Sequence, residues 1–169
     1  MKKKLYQDIQ EYIIYNYENE EIHSQKMDFH YHDVLKMKLA SMDSRIQKKL
    51  EDFIFDPDET FSEFLFKLID LEKLDDVEVY KKAHIDRKLF SKIRSNKDYQ
   101  PSKNTAISLA IGLELDIDTT LDLLAKAGFT LSFSSKFDLI IRYFIEHEIY
   151  SIFEINDALE AFEQPLLKL

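Results

Sequence analysis

Eight Lys or Arg and only two Asp lie between Lys81 and Lys103, a local net charge of +6 in a chain of 169 residues whose total is −9. The flanks are acidic: residues 56–80 and 104–169 each sum to −7, and residues 1–55 to −1. Clustered positive charge attracts phosphate-rich polymers and releases their counterions, so the chemistry open to these side chains is recognition of an anion. The plainer alternative is a solvated basic face with no ligand. A second cluster is DFHYHD, where His30 and His32 stand with Asp28 and Asp33. On an extended segment the two imidazoles would share a face, yet structural metal sites usually take four ligands, so no metal is expected. His23, His84 and His147 are isolated, no Ser stands in a nucleophile elbow, and no Gly-rich loop could cradle a phosphate. Carboxylate pairs are too common here to single one out. Neither catalytic residues nor a cofactor is expected.

The elements that must carry the basic residues read as helices. Hydrophobic residues make up 45% of the chain, enough for a core, while two Gly and three Pro leave little material for tight turns. The fold class is therefore all-α. There is no Cys, which removes disulfides and thiol chemistry. No apolar run approaches the roughly 20 residues of a membrane span, so a cytoplasmic protein without membrane contact is expected. Leu5, Ile9, Tyr12, Ile13 and Tyr17 predict one amphipathic helix over 3–19. Leu35, Leu39, Met42, Ile46, Leu50 and Phe53 form a seam that can pack inward or against a second chain. Asp56-Pro57-Asp58 interrupts it. Beyond lie helices near 60–71, 75–83, 86–95, 103–114 and 118–127, with Thr60 and Glu63 spaced as a capping box, Asp86 and Asp118 as N-caps, and Gly128 as a stop. Phe61, Phe64, Leu65 and Leu68 share one buried face of the first of these. Ser135 with Asp138 and Ser151 with Glu154 announce a hairpin of helices over 136–147 and 152–163. Three regions follow: an N-terminal helical extension (1–57), a helical unit (58–130) and a C-terminal helical hairpin (131–169).

Within 86–95, Ile85, Leu89, Phe90 and Ile93 make an apolar back, and Arg87, Lys88, Ser91, Lys92, Arg94 and Ser95 a polar, basic front. The stretch LDDVEVYKKAHIDRKLFSKIRSN, followed by PSKNTAISLAIGLELDIDTTLDLLAKAG, resembles the λ-repressor/Cro-like helix-turn-helix family across about 59–129. Leu74 and Val79 match the apolar positions of that family's supporting helix, Ile85 that of its turn, and Phe90 and Ile93 the buried face of its recognition helix. Leu115 and Ile117 match core plugs further on. The resemblance implies a five-helix DNA-binding core in which Arg87 and Lys88 meet base edges, while Lys81, Lys82, Lys97 and Lys103 meet phosphates. Ser91, Ser95 and Asn96 would add neutral hydrogen bonds.

Three positions depart from that pattern. Tyr80 replaces a customary Ala and His84 a customary turn Gly, which predicts a wider or altered helix crossing. Asp76 replaces a Gln that commonly contacts phosphate, and its carboxylate would repel the DNA backbone. Residues 59–169 also resemble the helical tail of some bacterial macro-domain proteins. Residues 1–58 contain no Gly, whereas a macro domain needs Gly-rich phosphate loops, so no ADP-ribose chemistry is implied. The expected function is a DNA-binding transcriptional regulator, with RNA as the alternative polymer, working as a homodimer through the 35–53 seam or the apolar face Ile152, Ile155, Leu159 and Phe162. The competing expectation is a protein-interaction module, such as an adaptor, antitoxin-like partner or inhibitor, that keeps the fold without binding DNA.

Overall fold

A computed structural model describes residues 2–18 and 59–167. These residues form eight helices and no strand: α1 (Lys2–Glu18), α2 (Phe61–Leu71), α3 (Asp76–Lys82), α4 (Arg87–Ser95), α5 (Lys103–Gly112), α6 (Ile117–Lys126), α7 (Lys136–Glu146) and α8 (Ile152–Ala161). The described part is all-α, in line with the helical spacing of its apolar residues. The 35–53 seam, the DFHYHD cluster and the Asp56-Pro57-Asp58 break lie outside the described residues.

Most helix starts follow the local signals. Thr60 and Glu63 close a full capping box, the Glu63 N–H donating to Thr60 Oγ1 at 3.3 Å and the Thr60 N–H to Glu63 Oε2 at 2.9 Å. Asp86 Oδ1 accepts from the Lys88 N–H at 2.7 Å, and Ser102, Ser135 and Ser151 cap α5, α7 and α8. The start of α6 corrects the sequence reading. Asp116 is its cap, accepting from the Thr119 N–H at 2.7 Å, and Asp118 lies inside the first turn, where a carboxylate faces the positive end of the helix dipole.

The helix ends explain how a chain with two Gly turns so often. Lys73, His84, Glu114, Glu148 and Glu163 all adopt φ between 51° and 55°, and glycine takes this role once, at Gly128 (76°). After each, an amide reaches five residues back, as from Leu74 to Ile69 O (3.1 Å), Ile85 to Tyr80 O (2.9 Å) and Leu115 to Ala110 O (3.1 Å). Three connections repeat one four-residue solution, a helix end, a left-handed residue, an apolar plug and an Asp: Glu72-Lys73-Leu74-Asp75, Ala83-His84-Ile85-Asp86 and Leu113-Glu114-Leu115-Asp116.

One hydrophobic core runs from Ile9 to Leu167. Helix α2 packs on α4 and α6, α3 on α4 and α5, α5 on α6, α6 on α7, and α7 on α8 and α1. The core is continuous across residue 130, where α6 packs on α7. Helices α3 and α5 approach so closely that a Cβ on Gly112 would stand 2.7 Å from both the Cβ and the backbone nitrogen of Ala83. Helix α1 docks on α7 through Ile9 and Ile13, with Tyr12 edge-on to Tyr143 at 5.4 Å and its hydroxyl donating to Glu146 Oε2 at 2.7 Å. Burial, and secondarily the Glu146 carboxylate, holds the Tyr12 hydroxyl well above its ordinary pKa. Tyr17, expected on this face, is 49% exposed, and Asn16 is buried instead. At about 100° per residue, two steps of four carry Tyr17 about 80° round from Ile9, whereas Asn16, seven residues on, returns to within about 20° of it.

Candidate nucleic-acid interface

Helix α4 is fixed from behind. Phe90 and Ile93 are buried, Leu89 is half-buried, and the rings of Phe66 and Tyr80 stand 5.5 and 5.8 Å from Phe90. At about 100° per residue, positions 88, 91, 92 and 95 then share the arc opposite Phe90 and Ile93, with 87 at its edge. Arg87, Lys88, Ser91, Lys92 and Ser95 are all exposed. Among the described residues, no ion pair joins Arg87, Lys88 or Lys92 to a carboxylate. Lys92 lies over the Tyr99 ring at 5.3 Å, and Ser95 donates its hydroxyl to Lys92 O at 3.3 Å. Lys81, in the last turn of α3, and Lys97, two residues past α4, are exposed. The Lys97 charge helps to lower the Glu63 pKa, after the larger effect of the Thr60 hydrogen bonds.

Three of the ten basic and hydroxyl residues singled out from the sequence turn to other work. Arg94 pairs with Asp76 and lays its guanidinium 4.0 Å from the centre of the Phe66 ring. Position 94 sits at the flank of α4, next to the arc of Phe90, so a long side chain there reaches the neighbouring helices. Lys82 bridges Glu78 (3.2 Å) and Glu114 (3.0 Å), whose hydrogen bonds, Glu114 first, raise its pKa. Lys103 binds Asp138 at 2.6 Å, and the Ser132 N–H donates to the same buried carboxylate at 2.9 Å. Glu114 and Asp138 lie 32 and 35 residues from their lysines, so no local pattern announces them.

The three departures acquire physical reasons. His84 itself takes the left-handed conformation at φ 51°, its ring edge-on to Phe153 at 4.9 Å, so the connection closes without glycine. Tyr80 is half-buried against Phe90, and the tight approach falls instead at Ala83 and Gly112. Helices α3 and α4 remain in direct contact. Asp76 faces Arg94.

A groove of about 400 Å³ opens between the starts of α4 and α5, but its charged residues, Asp86 and Lys103, are engaged by the α4 cap and by Asp138. Among the described residues, no group of three or more His, Cys, Asp or Glu is gathered as a metal would require, and no helix is long and apolar enough to cross a membrane. The face expected to pair two copies is used within the subunit: Ile152, Ile155 and Leu159 are buried in the chain's own core, and Phe162 meets Tyr6 at 6.5 Å. Comparison with protein-family models, curated proteins and solved structures returns no match.

Proposed function

We propose that this chain binds nucleic acid through the outer face of α4, as a helix-turn-helix protein whose five-helix unit is α2 to α6, and that it acts as a DNA-binding transcriptional regulator. One observation carries the reading: an exposed face with Arg87, Lys88, Ser91, Lys92 and Ser95, held by buried Phe90 and Ile93 and carrying no carboxylate of its own. A basic front on a rigidly backed short helix is what entry into a major groove requires. Lys81 and Lys97 flank it as phosphate contacts. Lys82, Arg94 and Lys103 drop out of the contact set because carboxylates already hold them. Two copies would be needed to reach successive grooves.

The test is a mobility-shift titration against random duplex DNA, single-stranded DNA and RNA, comparing the chain with an Arg87→Ala/Lys88→Ala/Lys92→Ala variant. Duplex binding lost in the variant supports the reading. Arg87→Ala alone is expected to cost about 1–3 kcal/mol and relax sequence preference, whereas Lys97→Ala weakens all sequences alike and flattens the salt slope by about one unit. Binding that ignores ionic strength, or survives the triple substitution, overturns the reading. A second reading, a module that presents this face to an acidic protein, draws on Asp75, Asp76 and Glu78, which set carboxylates at the start of the neighbouring α3. A defined acidic partner that co-purifies after nuclease treatment, with no shift of any nucleic acid, would favour it.

A further inference from the structure

Arg94 is the basic residue of α4 that does not face solvent freely. Two groups hold it: the Phe66 ring beneath its guanidinium at 4.0 Å and the Asp76 carboxylate that pairs with it. Neither hold is buried, since the Arg94 and Asp76 side chains are 45% and 35% exposed. A pair this open to water is worth little in stability. The ring contact adds a cation–π attraction, and the Arg94 Nη2 donates to the carboxylate. A phosphate oxygen is an anionic acceptor as that carboxylate oxygen is, and can compete for the same Arg94 nitrogen.

We propose that Asp76 masks Arg94, a latent phosphate-binding residue on the flank of the α4 face, and so sets the affinity of that face for a nucleic-acid backbone. The inference rests on the reading of α4 as a nucleic-acid interface. Asp76 occupies Arg94 in the free protein, and a phosphate gains Arg94 only by displacing Asp76. Neutralising Asp76 therefore exposes a ready-oriented guanidinium, with Phe66 as its platform.

The experiment is a double-mutant cycle by fluorescence anisotropy on one labelled random DNA duplex, titrated at several salt concentrations with the chain and its Asp76→Asn, Arg94→Met and Asp76→Asn/Arg94→Met variants, with melting curves to verify folding. Asp76→Asn is expected to bind about five- to tenfold more tightly at low salt and to steepen the salt slope by about one unit, as one further phosphate contact requires. Arg94→Met alone is expected to change affinity less than twofold, and the Asp76→Asn gain is expected to vanish in its background. A gain of equal size in the Arg94→Met background would mean that Asp76 acts by repulsion alone and would overturn the proposal. Duplex binding by the chain with no gain from Asp76→Asn would overturn it while leaving the α4 interface intact. Absence of binding by both the chain and Asp76→Asn would remove the interface and the proposal together.

Discussion

Lys73 ends α2 at φ 54°, exposed to solvent, in a conformation that costs an L side chain roughly 1–2 kcal/mol and glycine almost nothing. Glycine also frees the unfolded chain, which returns part of that gain. Lys73→Gly is therefore expected to stabilise the protein by about 0.5–1 kcal/mol, seen as a higher urea midpoint at unchanged slope; a lower midpoint would show that the strain is relieved elsewhere. Glu63 gives a pH signature. Its carboxylate accepts the Thr60 N–H, which lowers its pKa below the ordinary value of about 4.3. A depressed acid stabilises the fold above its unfolded pKa and loses that contribution as pH falls through the folded one. Melting temperatures recorded down from about pH 5 should thus fall less steeply in Glu63→Gln, whose contribution does not titrate, than in the parent. Both residues show what a sequence discloses at this scale. The Thr60 to Glu63 spacing is a complete local signal, because cap and amide lie within one turn. Lys73 carries no such signal: nothing in its side chain asks for a left-handed backbone, and only the apolar plug and aspartate after it, repeated at His84 and Glu114, disclose the turn.

Among the helices, α4 was legible because its apolar back and polar front separate cleanly at helical spacing. Helix α5 was harder to read from periodicity, since every residue from Ala106 to Gly112 is buried and no stripe remains to be counted. Its end is set by contact instead. Gly112 has no Cβ where Ala83 presses against it, and this fit fixes how α3, and with it the connection to α4, sits on the core. Gly112→Ala forces the two helices apart and is expected to cost about 1–3 kcal/mol by urea denaturation. Trimming the neighbour does not help: the Ala83 backbone nitrogen is itself 2.7 Å from the added methyl, so Ala83→Gly should leave most of the loss in place. Full recovery in the double variant would show that side chains, not backbones, set the spacing. The approach of Ala83 to Gly112 joins α3 to α5 and had no counterpart in the sequence reading, because sequence position alone does not say which turn of a helix meets a distant neighbour.

Across the whole molecule, charge is segregated along the chain but partly reconciled in space. The basic island reads as a single block of +6, yet Lys82, Arg94 and Lys103 each close on a carboxylate from a stretch that reads as separately acidic, and what remains is a narrower cationic face on α4. Lys103 shows the difference most sharply. Its partner Asp138 has a side chain only 3% exposed and is otherwise served by the Ser132 amide, so the pair joins the start of α5 to the first turn of α7 within the continuous core. Removing one member of such a pair strands a charge away from water, at a cost of about 3 kcal/mol. Lys103→Ala is accordingly expected to lower stability by that amount and, on the proposed nucleic-acid reading, to leave duplex affinity unchanged, whereas Lys97→Ala should do the reverse. Adding Asp138→Asn removes the stranded charge and keeps an oxygen for the Ser132 N–H, so part of the lost stability should return. Urea denaturation beside a duplex titration decides the matter: if Lys103→Ala weakens binding without destabilising the fold, Lys103 belongs to the interface and the cationic face is wider than α4 and its immediate flanks.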